Sequence, residues 1–198
     1  MGLNLSYKDG QTPLDENETG GLLIQSITTR EELDEFEQQN IESAIKWTMV
    51  TKFKKERVLS EEFILELHRR MFCDVWSWAG EFRKTNKNLG VPYSRVRVSV
   101  KVLLGDCFHW LNQKSHSDEE IAILFKHRIV SIHCFSNGNG RHSRLMADVI
   151  ISHLFSKPVF SWNRNNLVEK GEGRTNYLSA INAADMGDIQ PLIDFANS

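Results

Sequence analysis

The sequence predicts a mostly α-helical protein with one short β-hairpin. Over most of the chain after residue 28, apolar residues recur at three- and four-residue spacing, as on the buried face of a helix. Several of these stretches follow a serine or threonine that can cap a helix. Residues 84–100 differ, because they contain a glycine, a proline and valines that alternate with polar residues.

Length and composition favour a single globular domain. A chain of 198 residues can bury one sizeable core but is short for two. Hydrophobic residues make up 40%, charged residues make up 25% and the net charge is −2, a balance that argues against bulk nucleic-acid binding. The basic residues at 52–57 are accompanied by glutamates, as on a solvated helix end, so we expect no direct contact with nucleic acid.

The three cysteines indicate a reduced compartment. Cys73, Cys107 and Cys134 are odd in number, far apart and without metal-binding spacing. No apolar run approaches the roughly 18 residues of a membrane span, and the N-terminus lacks the order of a secretory signal. We therefore expect a cytoplasmic protein without membrane contact.

The first 27 residues are predicted to be an N-terminal arm to a domain over residues 28–198. The start of the arm carries glycine, proline, aspartate and asparagine at turn-forming intervals, without a helical or strand period. A helix is predicted over residues 28–50, where Thr28 or Thr29 can cap it and two glutamates suit its positive first turn. Its predicted apolar stripe consists of Leu33, Phe36, Ile41, Ala44, Ile45 and Thr48.

Further helices are predicted from caps and apolar spacing. A second helix begins after Ser60, and its buried face is predicted to contain Phe63, Ile64, Leu67 and Met71. Two more helices are predicted between residues 102 and 132, the second capped at Ser117 or Asp118. Residues 141–155 are apolar over most of the helical circumference, which predicts a central helix, and two shorter helices close the chain.

Residues 84–100 are predicted to form an exposed β-hairpin flap. Pro92 is incompatible with a long helix through the segment. After it, Val96, Val98 and Val100 alternate with polar residues, which is the pattern of a half-buried strand.

Two glycines and two arginines stand together in the stretch HCFSNGNGRHSR, residues 133–144. The helix that follows presents unpaired N–H groups and the positive end of its dipole, and Gly138 and Gly140 let more backbone N–H groups point inward. Such a backbone binds anions. Arg141 and Arg144 lie one turn apart and can grip further oxygens, so the loop is predicted to hold a di- or triphosphate.

Three more side chains complete the predicted site. His133 ends the preceding helix and, with an ordinary pKa near ~6.5, can accept a proton from an attacking hydroxyl group. Phe135 is predicted to turn inward as the apolar anchor of the loop. Asn137 can ligate a divalent cation through its side-chain oxygen, although less strongly than a carboxylate.

This combination resembles the signature of the Fic/Doc family, HxFx(D/E)GNGRxxR. The matching residues are His133, Phe135, Gly138, Asn139, Gly140, Arg141 and Arg144. The stretch LHRRMFCDVWSWAGEFR is similar to the helix and WAGxFR segment that precede the family's flap, and residues 1–41 resemble the subgroup called mobile mystery protein B. The resemblance covers nearly the whole chain and implies a Fic-type helical bundle with a motif loop at 133–144.

Members of this family mostly transfer AMP from ATP to a hydroxyl side chain of a target protein, with Mg²⁺. By this resemblance His133 would be the base that activates the hydroxyl group, and Asn137 stands at the metal position. Arg141 would stabilise the transferring phosphates and Arg144 would hold the γ-phosphate. The anion cradle would consist of Gly138, Asn139 and Gly140.

The resemblance also implies how nucleotide, target and partner are held. The flap would pair with an extended segment of the target as an added strand. The residues expected to contact the target are Lys87, Asn88, Leu89 and Gly90. Tyr177 stands where the family often lines its nucleotide pocket, and a tyrosine in the core is the alternative. The subgroup typically accompanies a helix-turn-helix protein, so such a partner is expected, in a toxin–antitoxin arrangement.

The sequence departs from the family pattern in the loop and in its inhibitory element. Asn137 replaces the usual metal-binding acid, which removes one negative charge, and Cys134 replaces a common proline. Many relatives are inhibited by a glutamate in the motif (S/T)xxxE(G/N) that pairs with the second motif arginine, but no clean copy exists here. Glu37 is the candidate for this role, with Arg144 as its expected partner, and a solvated glutamate is the alternative.

Two other functions stay open at this point. A Doc-like protein would transfer phosphate from a nucleotide bound in reverse, although the intact Gly-Asn-Gly-Arg stretch argues against it. A nucleotide- or partner-binding regulator with little catalysis is the second alternative, and Asn137 is the residue that favours it.

Overall fold

The computed structural model describes residues 15–162 and 172–198. Its helices are α1 (Glu16–Thr19), α2 (Arg30–Val50), α3 (Lys55–Val58), α4 (Glu61–Phe72), α5 (Val96–Gln113), α6 (Asp118–Ile132), α7 (Asn139–Phe155), α8 (Glu172–Asp185) and α9 (Gln190–Asn197). The predicted mostly helical class is confirmed. Within the two described ranges, none of the helices has both the length and the apolar character needed to traverse a bilayer.

Helices α6 and α7 form the centre of the fold. They pack against each other, while α5 packs on α6, α2 on α4, and α8 on α9. Residues 145–151 of α7 are buried at every position, which confirms the prediction of a central helix. The loop between α6 and α7 therefore starts and ends in the interior of the bundle.

Three predicted helix starts are confirmed by their caps. Thr29, Ser60 and Ser117 each accept the backbone N–H three residues further on, at the starts of α2, α4 and α6. In α2 and α6 a glutamate at the third helical position also accepts the N–H of the capping residue. Each of these two caps thus satisfies two N–H groups that would otherwise lack a helical partner.

The predicted β-hairpin over residues 84–100 is wrong. Tyr93–Arg95 form a 3₁₀ turn after Pro92, and α5 continues from Val96. Val96 and Val100 are buried and Val98 is exposed. On a helix, residues four apart lie on the same face, whereas residues two apart lie on different faces. Apolar residues recur at helical spacing beyond this point, so the segment forms a helix although its valines alternate with polar residues. Among the described residues the sole β pairing is an isolated bridge between residues 22 and 76.

The N-terminal region is less separate from the domain than predicted. No regular element was expected before residue 28, yet α1 forms one helical turn. Ile27 belongs to the core, and Leu23 donates its N–H to the Val75 carbonyl at 2.9 Å. Residues 1–14 of the predicted arm lie outside the described ranges.

Polar side chains fix α2 against the end of α4. The Asn40 amide donates to Asp74 Oδ2 at 2.7 Å and its oxygen accepts the Asp74 N–H at 3.0 Å. One turn earlier, the fully buried Glu37 accepts a hydrogen bond from Trp76 Nε1 at 2.6 Å. Directional bonds of this kind hold the helix in one position along its axis.

The reciprocal bonds of Asn40 lead to a stability prediction. Replacing Asn40 with alanine leaves the Asp74 N–H without its acceptor, so we expect the free energy of unfolding to fall by about 1–3 kcal/mol. Urea denaturation measures the change. The matched control is Gln39→Ala, at an exposed position of the same helix, which should change stability by less than about 0.5 kcal/mol. Equal effects of the two substitutions would contradict the prediction.

Candidate active site

The loop between α6 and α7 turns twice through left-handed backbone conformations. His133 ends α6 with φ 58° and ψ 64°, and its N–H donates to the Ile129 carbonyl. Gly138 precedes α7 with φ 77° and ψ 0°. A Cβ at Gly138 would lie 2.5 Å from ring atoms of Phe72, so both the conformation and the close packing require glycine there. Gly140 differs, because the space beside its Cα is open.

Asn139 and Phe135 hold the loop closed. The Asn139 side chain accepts the Phe135 N–H at 2.9 Å and donates to the Phe135 carbonyl at 2.8 Å. The Phe135 ring is fully buried, which confirms it as the apolar anchor. The N–H groups at the start of α7 are therefore presented from a rigid turn.

His133 is buried beside the segment that precedes α5. Its side chain is close to Gly90, where a Cβ would approach His133 Cβ to 2.5 Å. Burial, helped by the positive charge of Arg83, lowers the pKa of His133 to about 4, and a hydrogen bond to the Val130 backbone acts in the opposite direction. The imidazole is thus neutral at pH 7 and able to accept a proton.

Arg83 attaches residues 84–92 to the motif loop. Its guanidinium donates to the carbonyls of His133 at 2.6 Å, Thr85 at 2.8 Å and Val91. Its own N–H donates to the Cys134 carbonyl at 2.9 Å. Sequence reasoning did not assign a role to this arginine, although it is the last residue of the WAGEFR stretch that resembles the family.

The four residues expected to contact a target are placed differently from one another. Asn88, Leu89 and Gly90 are exposed, and of these Gly90 lies against His133. The Lys87 side chain is instead 5% exposed and forms an ion pair with Glu18 of α1. The side of this segment that carries Lys87 is therefore occupied by the N-terminal region.

The two arginines of the motif point to different neighbours. Arg141 pairs with Glu37 at 2.6 Å, and its guanidinium lies 4.9 Å from the Phe72 ring centre. Arg144 lies 6.0 Å from the ring centre of Tyr177, and burial lowers its pKa. The expected pairing of Glu37 with Arg144 is therefore wrong. The expected alternative of a solvated glutamate is also wrong, because Glu37 is fully buried.

Tyr177 contacts a lysine that sequence reasoning missed. Lys126 is fully buried in α6 and donates from Nζ to the Tyr177 hydroxyl at 2.7 Å. Burial, and secondarily the charge of Arg144, lowers the pKa of Lys126 well below its usual value. The signal in the sequence was its position on the apolar stripe of α6 between Ala122 and Ile129.

The residues around Asn137 do not by themselves form a site for Mg²⁺. Asn137 Oδ1 accepts the Gly138 N–H at 2.5 Å, and an amide oxygen is a weaker ligand than a carboxylate. In the part of the chain that the structure describes, no three His, Cys, Asp or Glu side chains are grouped to hold a metal. Among the described residues, the protein therefore supplies at most one neutral oxygen at this position.

An open cavity of about 430 Å³ lies beside Val91 and the start of α5. Its apolar lining includes Val91, Val98 and Ile132. At its edge His127 Nε2 lies 2.7 Å from Asp185 Oδ1. Because Ile132 directly precedes His133 and Asp185 ends α8, the cavity adjoins the motif loop and the helix that carries Tyr177.

Buried histidines make stability depend on pH. Burial lowers the pKa of His142 to about 4, whereas histidines in an unfolded chain titrate near ~6.5. Below pH 6.5 the unfolded state binds more protons, so the free energy of unfolding falls as the pH falls towards 4. We expect His142 to account for a loss of about 2 kcal/mol between pH 7 and pH 5, measured by urea denaturation.

The contribution of His142 can be separated from that of other groups. A His142→Gln protein should lose less stability between pH 7 and pH 5 than the unmodified protein. His109→Gln, at an exposed position, should retain the full loss. A free energy of unfolding that stays constant or rises on acidification would contradict this account.

Comparison with known proteins gives one consistent family. Residues 58–151 match the Fic/DOC family. A protein adenylyltransferase Fic from Drosophila grimshawi is 33% identical over 136 residues, which are 67% of this chain and 26% of the relative. A protein of the same name from Aedes aegypti is 28% identical over 159 residues, or 78% of this chain and 30% of the relative. The chain thus spans about a third or less of these relatives' length.

Solved structures share the fold. A Fic-1 fragment from C. elegans superposes with a TM-score of 0.67 at 23% identity and covers 90% of this chain and 51% of that chain. BepC from Bartonella tribocorum, a translocated effector with bound AMPPNP, has a TM-score of 0.68 at 16% identity over 92% of this chain and 97% of that chain. At these identities the similarity concerns the fold.

Proposed function

This chain contains a Fic/DOC-family domain, and we propose that it transfers AMP from ATP to a hydroxyl side chain of a protein target. The observation that carries the proposal is the union, in one short loop, of a neutral buried histidine and the anion-binding start of a helix with two arginines. His133 lies at one end of this loop, and Arg141 and Arg144 follow at the other. Curated relatives named protein adenylyltransferase support the reaction class.

His133 is proposed as the general base. Its neutral ring accepts the proton of the target hydroxyl as that oxygen forms a bond to the α-phosphorus of ATP. The bond from the α-phosphorus to the bridging oxygen breaks, and pyrophosphate leaves with the electron pair. A bound triphosphate would raise the pKa of His133 from about 4, because negative charge favours the protonated ring, and would make it a stronger base.

The start of α7 is proposed to hold the phosphates. The N–H groups of Gly138, Asn139 and Gly140 lie at the positive end of the helix, and the open space beside Gly140 allows a close approach. Arg144 has no carboxylate within ion-pair distance in the described ranges and would bind the terminal phosphate. Arg141 would stabilise the charge that develops on the transferring phosphates.

The cavity lined by Val91, Val98 and Ile132 is proposed to receive the nucleoside. Tyr177 and Asp185 are eight residues apart on α8, which corresponds to about 12 Å. Tyr177 faces Arg144 at the phosphate end, and Asp185 borders the cavity at the other. In this proposal Tyr177 contributes to nucleotide binding by positioning Arg144, and the apolar lining of the cavity contacts the base.

The exposed residues Asn88, Leu89 and Gly90 are proposed to contact the target. Gly90 lies against His133, and Arg83 bonds the carbonyls of Thr85 and Val91, which flank these residues. A segment without regular structure can still offer main-chain N–H and C=O groups to an extended target segment, even though it is not a hairpin. The target hydroxyl would then be delivered to His133 from this side.

Mg²⁺ enters the proposal as the cation that accompanies ATP. When bound it would neutralise phosphate charge, and Asn137 would offer it one neutral oxygen. No step of the proposed transfer is assigned to it. A helix-turn-helix partner stays a prediction from the resemblance, and a cytoplasmic location stays a prediction from the cysteine pattern.

Labelled ATP tests the transfer. The purified protein is incubated with Mg²⁺, a cell lysate and ATP labelled at the α- or the γ-phosphate. We expect protein labelling from the α-position alone, reduced by about a hundredfold or more in His133→Ala. His109→Ala, with its exposed ring, is the matched control and should label normally. Label from the γ-position alone would favour phosphate transfer, and absence of label despite ATP binding would favour a regulator.

Glu37 is proposed to compete with the nucleotide for Arg141. The carboxylate is fully buried against the guanidinium that the phosphates would need. Glu37→Gln removes the charge and can retain the hydrogen bond from Trp76. We expect this substitution to tighten ATP binding roughly fivefold, as measured by calorimetry, and to increase the transfer rate.

The control for this effect is Glu35→Gln, an exposed position on the same helix, which should bind ATP like the unmodified protein. If Glu37→Gln left both the ATP affinity and the transfer rate unchanged, Glu37 would have a structural role only.

A further inference from the structure

His68 is fully buried in α4 and has a hydrogen-bond partner at each ring nitrogen. Nδ1 accepts the Gly80 N–H at 3.0 Å. Nε2 lies 3.1 Å from the Asn137 carbonyl oxygen. Because Nδ1 accepts, the proton of the neutral ring is on Nε2, which donates to Asn137. The hydrogen bond to Gly80 thus determines the tautomer that the motif loop requires.

The surrounding side chains fix the orientation of the ring. His68 stacks on Phe135 with 3.7 Å between ring centres and 13° between planes. Phe72 covers another side, at 4.8 Å and 42°. Gly80 itself is held close to α4, since a Cβ there would lie 2.7 Å from Arg69 Cβ. The imidazole therefore has one available position and one available donor direction.

The bond to Asn137 orients the peptide that begins the anion cradle. In a planar trans peptide the carbonyl and the N–H point in opposite directions, and the described chain has no cis peptide bond. Holding the Asn137 carbonyl towards the core therefore turns the Gly138 N–H away from the core. That N–H is accepted by Asn137 Oδ1, and a phosphate oxygen would take its place.

We propose that His68 is a positioning residue for triphosphate binding, which acts by holding the Asn137–Gly138 peptide with its N–H directed into the cradle. This inference rests on the proposed function, since it names the residue that shapes the phosphate site of the same reaction. His68 contacts neither nucleotide nor target. Its effect falls on affinity for the phosphates and leaves binding of the nucleoside unchanged.

Two substitutions separate the roles of the two ring nitrogens. The variant His68→Gln keeps an N–H donor near the position of Nε2. His68→Asn keeps an acceptor near Nδ1 and lacks the donor to Asn137. The matched control is His153→Asn, because His153 Nε2 also lies 3.0 Å from a backbone carbonyl, that of Thr48, but far along α7 from the loop.

Calorimetry of the full chain with ATP and with adenosine tests the proposal. We expect His68→Asn to weaken ATP binding by about tenfold or more, with adenosine binding unchanged. His68→Gln should bind ATP within about threefold of the unmodified protein, as should His153→Asn. Thermal unfolding of each variant establishes that the proteins compared are folded.

Other outcomes would overturn the proposal. Equal ATP affinity of His68→Asn and the unmodified protein would show that the donor is not needed. A parallel loss of ATP and adenosine binding, or an equal loss in the two His68 variants, would indicate a structural role alone. Failure of the unmodified protein to bind ATP would instead refute the proposed function, and this inference with it.

Discussion

The backbone N–H and C=O groups of a loop that begins and ends inside a helical bundle have little access to bulk water and must find partners within the protein. This constraint accounts for much of what surrounds residues 133–138. Arg83 donates a hydrogen bond to the His133 carbonyl, and His68 donates one to the Asn137 carbonyl. The Asn139 side chain bonds to both the N–H and the carbonyl of Phe135. The side chains that satisfy the loop come from three separate parts of the chain, so the loop geometry depends on the whole fold.

Charge is distributed unevenly around this loop. Arg83, Lys126 and Arg144 are basic groups with much of their surface buried, and burial lowers the pKa of each. The buried carboxylate of Glu37 is engaged by Arg141. Several partly desolvated basic groups around one loop favour a polyanion as ligand, which is consistent with a nucleotide triphosphate.

Much of the fold could be predicted because local signals agreed with the final packing. Ser117 can cap a helix, a glutamate follows three residues later, and an apolar stripe comes after it. All three signals indicate the same helix start. The spacing of Val96 and Val100 did not distinguish a strand from a helix, because positions four apart lie on the same face in both. Only the length of the apolar pattern after these valines distinguishes a helix from a strand. Pro92 nearby argued against a helix and so favoured the wrong prediction.

The motif loop was recognisable from its residues, but its neighbours were not. His133 and the glycines stand in a short, specific pattern, whereas Glu37 and Arg141 are 104 positions apart. Lys126 and His68 are single polar residues on otherwise apolar helix faces, and sequence alone does not reveal what a buried polar group bonds to. Such partners are defined by three-dimensional packing.

The conformation of His133 has a consequence for how this protein responds to selection. A non-glycine residue at φ 58° is in the left-handed region, where glycine would cap the helix at lower conformational cost. The residue that the proposed reaction cannot replace is thus one that stability alone would not choose. Screens that reward thermal stability would tend to remove histidine from this position, whereas screens that reward transfer would retain it.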